Sequence, residues 1–219
     1  VWYASPDARL TVVEDYAHHP TELEAAVSAL RDRWPDRRIA LVFQPHRYER
    51  IKRYAHAFAQ TLRTVERAVV TAPFAAWMDD TDLAAAETIV HISDRPHVTY
   101  SDARYPDLAD TLAAELEESE SPWVIGILGA RSVGELPPLL RDRLADRCLA
   151  RIAHDLSIRV PDARPERTRT WAERTSLGAG SARPLVCHPA NDRILQDLLV
   201  CAGENNLPVQ VLGSGTNTV

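Results

Sequence analysis

Two short stretches hold most of the side chains in this chain that could act on a small charged substrate. The first is Glu14-Asp15-Tyr16-Ala17-His18-His19-Pro20-Thr21-Glu22; the second is Phe43-Gln44-Pro45-His46-Arg47-Tyr48-Glu49-Arg50. Arg47 and Arg50 are three apart at an expected helix start. Both guanidiniums can therefore reach one anion, and a planar fork matches a carboxylate or phosphate bidentately. An imidazole titrates near neutrality, which makes His18 a candidate base or a group that positions an amine. His19 reads as a cap for the helix that starts at Pro20. A metal reading of Asp15, His18, His19 and His46 stands beside these, but adjacent histidines rarely point at one ion. No zinc-type ligand spacing is present, and no metal is expected.

The elements that must position these residues follow from the flanking sequence. Each stretch follows an apolar run of strand type, Leu10 to Val13 and Ile39 to Phe43, and leads into a segment of helical period. Leu23, Ala26, Val27, Leu30 and Trp34 share one helical face over Pro20 to Trp34, and Ile51, Tyr54, Ala55, Phe58 and Leu62 repeat the stripe. Further strands are expected at Ala68 to Thr71, His97 to Tyr100 and Trp123 to Leu128, with helices near Asp82 to His91 and Asp107 to Glu117. Strand-helix alternation implies a doubly wound, mostly parallel α/β sheet covered on both faces. Both polar stretches should then lie at the carboxyl ends of adjacent strands, where open α/β sheets bind ligands.

After the last of these strands, Gly129-Ala130-Arg131-Ser132-Val133-Gly134 reads as a tight turn rather than a phosphate cradle, since no full dinucleotide fingerprint is present. A helix is expected from Glu135 to His154, with Pro137 and Pro138 tolerated in its first turn. The organisation expected is a first domain over 1–156, a linker over 157–170 and a small, incomplete α+β segment over 171–219. In that segment Leu185 to Cys187 and Val209 to Leu212 read as strands and Asn191 to Asn205 as a helix. So little structure cannot bury much core.

Composition sets the outer bounds. The 219 residues are 45% hydrophobic and 26% charged, as in ordinary globular proteins, and the net charge of −6 argues against a general nucleic-acid binder. Cys148, Cys187 and Cys201 are odd in number and scattered, which suits reduced thiols in a cytoplasmic protein. No apolar stretch of membrane length occurs.

The two polar stretches, in their order and spacing, resemble the C-terminal domain of the Mur ligases, specifically the UDP-N-acetylmuramate:L-alanine ligases, over roughly Val1 to Asp146. The resemblance implies a Rossmann-like domain of an ATP- and Mg2+-dependent enzyme of peptidoglycan precursor synthesis. It activates the UDP-N-acetylmuramate carboxylate as an acyl phosphate, which the L-alanine amine attacks. It further implies that Arg47 and Arg50 bind a carboxylate and stabilise developing charge, that Tyr16 and His18 position the amine, and that Asp15 reaches the ATP ribose. No Gly-x-x-x-x-Gly-Lys-Ser/Thr loop occurs, so the N-terminal and central ligase domains are expected elsewhere and this chain is expected to be inactive alone.

The tail, with Arg174-Thr-Ser-Leu-Gly-Ala-Gly180 and Val211-Leu-Gly-Ser-Gly-Thr-Asn217, is similar to the start of the UDP-N-acetylenolpyruvoylglucosamine reductases. That resemblance implies a ligase-reductase fusion using FAD and NADPH, with Gly213, Gly215, Thr216 and Asn217 around the flavin pyrophosphate. Successive amides in such a turn can form an anion nest. Two other readings remain. One is a non-catalytic nucleotide- or partner-binding module; the other is a relative of the murein peptide ligases, which should lack the Pro45-His46-Arg47-Tyr48 pattern.

Overall fold

The apolar runs form the middle of a six-stranded sheet. In the computed structural model, residues 1–74, 84–174 and 183–213 are described. The elements are β1 (Tyr3–Ala4), β2 (Leu10–Asp15), α1 (Pro20–Arg33), β3 (Arg38–Gln44), α2 (Tyr48–Leu62) and β4 (Arg67–Thr71). They continue with α3 (Ala84–Ser93), β5 (Val98–Ser101), α4 (Tyr105–Glu118), β6 (Trp123–Gly129) and α5 (Leu136–Arg159). The strand order is β1-β2-β6-β3-β4-β5, with β1 antiparallel to β2 and every other pair parallel.

Alternation along each strand sorts side chains to two faces. Ile39, Leu41 and Phe43 of β3 meet α1, α2 and α3, whereas Ala40 and Val42 meet α4 and the first half of α5. The sheet is covered on both sides, as expected for a doubly wound α/β fold. In β6 a Cβ on Gly126 would lie 2.8 Å from Leu41 Cδ2 and 3.0 Å from Leu30 Cδ1, so only glycine lets α1 pack so closely.

One expectation is corrected. β2 and β3 are not neighbours, because β6 lies between them and pairs with both. Strand order is set by which strand is buried on both faces. All seven residues of β6 are buried, and that demands a central place which chain order does not reveal.

The chain forms two compact units, Val1–Ala145 and Asp146–Val219. The second contains the latter part of α5, a 3₁₀ turn at Pro161–Ala163, α6 (Trp171–Arg174) and α7 (Asp192–Glu204), whose N-cap Asn191 side chain accepts from Ile194 N. Its core is Cys148, Ile152, Leu156 and Cys201, with Val160, Leu185, Cys187, Leu198 and Leu207 packed against them.

Three readings of this region change. Residues 157–170 are not a bare linker, since Ala163 is fully buried and the Glu166 and Val186 backbones exchange hydrogen bonds of 2.8 and 2.9 Å. Leu185 to Cys187 contributes only that isolated bridge, and Val209 to Leu212 is irregular. An apolar run becomes a strand only where another strand satisfies its backbone. Among the described residues of this unit, nothing beyond the Glu166–Val186 bridge does so.

Candidate functional site

The β2–α1 loop is held by its own polar groups. Asp15, exposed at the end of β2, accepts from Ala17 N at 2.8 Å in an Asx-type turn. His19 is the N-cap of α1: its Nδ1 accepts from Thr21 N at 3.4 Å, and Glu22 reaches back to His19 N at 3.0 Å in a reciprocal capping box, with Pro20 in the first turn. The expected capping role of His19 is therefore what the structure shows. Glu22 Oε2 also accepts from His18 N at 3.0 Å. These backbone hydrogen bonds, the one from His18 foremost, outweigh partial desolvation and hold the Glu22 carboxyl below its ordinary range.

His18 does not cap. Its ring lies edge-on to Tyr16 at 5.2 Å and to His46 at 5.3 Å between centroids, so the two polar stretches meet at this imidazole. Arg50 Nη1 donates to the His18 carbonyl oxygen at 3.3 Å and adds a second link. The loops converge although β6 separates their strands.

Arg47 is the N-cap of α2 with φ 64° and ψ 129°, and no side-chain cap bond is made. A non-glycine residue at positive φ is strained by about 1 to 3 kcal/mol, and such strain persists only where the surroundings hold it. Here Arg47 N donates to Phe74 O at 3.3 Å, Phe74 N donates to Pro45 O at 2.9 Å, and the His46 ring stacks on Phe74 at 5.6 Å. Arg47 is exposed and Arg50 half-buried, so the two arginines leave the helix start from different backbone conformations. Tyr16 is 64% exposed.

Sequence reasoning missed the buried group beneath this surface. Gln44, 4% exposed at the end of β3, lies with its Nε2 3.2 Å from Ala72 O, 3.0 Å from Tyr105 OH and 2.9 Å from Ser132 Oγ. Its Oε1 accepts from Ser132 Oγ and from Val133 N, both at 3.1 Å. One amide thus joins the ends of β3, β4 and β6 to α4, directly below Pro45-His46-Arg47. Burial pushes the Tyr105 phenol up from its ordinary value, against the lowering effect of its hydrogen bonds. A polar residue closing an otherwise continuous apolar strand was the available signal.

The expected turn after β6 is present as a 3₁₀ turn at Arg131–Glu135. Gly129 has φ +144°, and a Cβ there would lie 2.8 Å from Gln44 O. Glycine is required for the fit against β3.

Phe74 was also missed. Among the described residues, no three His, Cys, Asp or Glu side chains gather as metal ligands, and no helix is long and apolar enough to cross a membrane. Of the flavin-turn residues only Gly213 is described, and a Cβ on it would meet nothing within 4 Å; Gly215, Thr216 and Asn217 lie outside the described residues.

Against known proteins, residues 3–131 match the family described as Mur ligase, glutamate ligase domain. Among curated proteins, the UDP-N-acetylmuramate–L-alanine ligase of Lactobacillus helveticus is 40% identical over 81 residues, covering 37% of this chain and 18% of that protein. The enzyme of the same description from Xanthomonas oryzae pv. oryzae is 51% identical over 67 residues, 31% of this chain and 14% of that protein. The chain thus spans less than a fifth of these relatives. The crystal structure of a UDP-N-acetylmuramate-alanine ligase from Thermotoga maritima aligns with TM-score 0.51 and 19% identity over 66% of this chain and 29% of that one, a likeness of fold alone. With the family match covering well over half of its residues, and the sheet that carries the two loops matching in fold, this chain belongs to the Mur ligase family.

Proposed function

We propose that this chain supplies the amino-acid-binding part of an ATP-dependent ligase that joins L-alanine to UDP-N-acetylmuramate in peptidoglycan precursor synthesis. The observation that supports it most directly is the meeting of the two polar loops, with the His18 and His46 rings 5.3 Å apart and Arg50 on the His18 carbonyl. An imidazole, a tyrosine and two guanidiniums on one rigid sheet edge suit an amino acid, whose amine needs a base and whose carboxylate needs a cation. In this reading Arg47 and Arg50 hold the carboxylate and stabilise charge that develops on the reacting group, Tyr16 and His18 place the amine, and Asp15 approaches the ATP ribose. ATP, Mg2+ and the nucleotide sugar are bound mainly by the N-terminal and central domains of the complete ligase. Closure of those domains onto this one would set the geometry of attack.

Assayed alone with ATP, UDP-N-acetylmuramate and L-alanine, the 219-residue chain should release no ADP. In the complete ligase, Arg47→Ala should lower kcat/KM for L-alanine about a hundredfold, the size expected for losing one preorganised charged donor. The melting temperature should stay within about 2 °C. A normal ligation rate would refute the assignment. Faster ligation of a preformed peptide than of L-alanine would instead favour the murein peptide ligase reading. For residues 171–219 we infer the start of a flavin-dependent reductase from the sequence motif around Gly213, Gly215, Thr216 and Asn217. A flavin spectrum in the complete protein, lost on Asn217→Ala, tests it.

A further inference from the structure

We propose that Glu22 is a positioning residue for His18, holding the imidazole with its Nε2 as the proton acceptor for an incoming ammonium group. This rests on the ligase reading above. His18 Nδ1 lies 3.0 Å from the Tyr16 carbonyl oxygen and 3.3 Å from Glu22 Oε2. The Tyr16 carbonyl oxygen, which hydrogen-bonds Nδ1, is an acceptor only, so Nδ1 carries the hydrogen, and Glu22 Oε2 lies beside it as the counter-charge for the protonated ring. The lone pair of the neutral ring is then on Nε2.

The carboxylate is itself fixed. The same Oε2 accepts from His18 N and His19 N, each at 3.0 Å, and those bonds hold the Glu22 carboxyl below its ordinary range. Around the ring, Tyr16 and His46 stand edge-on, and Arg50 is bound to the His18 carbonyl. When the ring becomes an imidazolium, Glu22 is the anion facing it, at 3.3 Å, and Arg50 is the cation working against it.

The L-alanine ammonium gives one proton to Nε2 and gains a nucleophilic lone pair. Its nitrogen attacks the acyl phosphate carbon, the C–N bond forms, and the C–O bond to phosphate breaks with the electron pair leaving on phosphate. The second amine proton leaves with the phosphate. An orienting carboxylate lowers the barrier because it is already in place when positive charge forms on the ring.

A bland alternative is that Glu22 only closes the capping box. Glutamine also serves at that position of the box, so Glu22→Gln separates the two roles: it keeps the cap and removes the charge. In the complete ligase, Glu22→Gln should lower kcat about tenfold, with KM for L-alanine within about twofold and only a small drop in melting temperature, from the lost carboxylate contribution to the cap; the effect on kcat is below that of fully buried His–carboxylate pairs because Glu22 is half exposed. His18→Ala, run alongside, should lower kcat at least as much. If Glu22→Gln is normal, or only KM rises, while His18→Ala is impaired, Glu22 is a cap alone and the proposal falls with the ligase reading intact. If His18→Ala is also normal, the base assignment of the ligase reading fails. Independently of ligation, nitrogen-15 NMR of the 219-residue chain should show the hydrogen of neutral His18 on Nδ1. A hydrogen on Nε2 would overturn the proposal.

Discussion

In the Val1–Ala145 unit, strands β2, β6, β3 and β4 each have a neighbour on both sides, and two apolar clusters fill the faces of the sheet. In the Asp146–Val219 unit, the buried cluster is Cys148, Ile152, Leu156 and Cys201, and Leu195, Leu199 and Val200 of α7 stay 38%, 47% and 59% exposed. Pairing accounts for the difference. Once a sheet satisfies the backbone of an apolar run, every residue of that run can be buried. Without it, apolar residues reach a core only from one face of a helix. Loops that must hold side chains to within an ångström belong on the first kind of platform. The histidine and arginine loops of this protein are there.

Core truncation should break the symmetry between the units most strongly. Phe58 is fully buried against Phe43 with ring centroids 5.0 Å apart. Phe58→Ala should destabilise the first unit by about 3 to 5 kcal/mol. Ile194→Ala in α7 should cost about 2 kcal/mol, the low end for an isoleucine, since its side chain is still 9% exposed. Amide exchange read separately on β3 and α7 would measure both. Equal losses in the two units would contradict the comparison.

A smaller effect should come from the polar clamp. Gln44→Leu leaves Ala72 O and Val133 N without their side-chain partner at the carboxyl edge of the sheet. A loss of about 2 to 4 kcal/mol is expected in chemical denaturation. Because the amide sits beneath Pro45-His46-Arg47, the His18 to His46 ring contact should also loosen, visible as altered ring chemical shifts. Unchanged shifts would mean the loop is held without Gln44.

The smallest effect is acid sensitivity of α1. The folded pKa of Glu22 is lowered, so its contribution is complete above the ordinary value of 4.5 and is lost as pH falls through the lower folded value. After correction for intrinsic rates, the His18 and His19 amides should lose protection in that acid range, and Glu22→Gln should remove the dependence. Glu166 in the second unit is likewise lowered, first by its bond from Arg174 and then by that from His188. Its exposure lets solvent screen the effect, so the Val186 amide, which donates to the Glu166 backbone, should show little response.

How much of this was legible beforehand depends on whether the cause is local. Apolar runs with helical stripes between them determine that strands and helices alternate. Pro20 after His19 and Glu22 three residues on specify a capped helix start, because capping involves only neighbours along the chain. The motif residues were legible for the same reason: types and spacing are properties of sequence. Tertiary structure alone decided that β6 lies between β2 and β3, that Gln44 turns inward to tie three strand ends together, and that Phe74 braces Arg47. It also decided that Leu185 to Cys187 and Val209 to Leu212 do not form a sheet. Each depends on which distant segment satisfies a backbone or side-chain hydrogen bond, and a single chain read in order does not say which partner that will be.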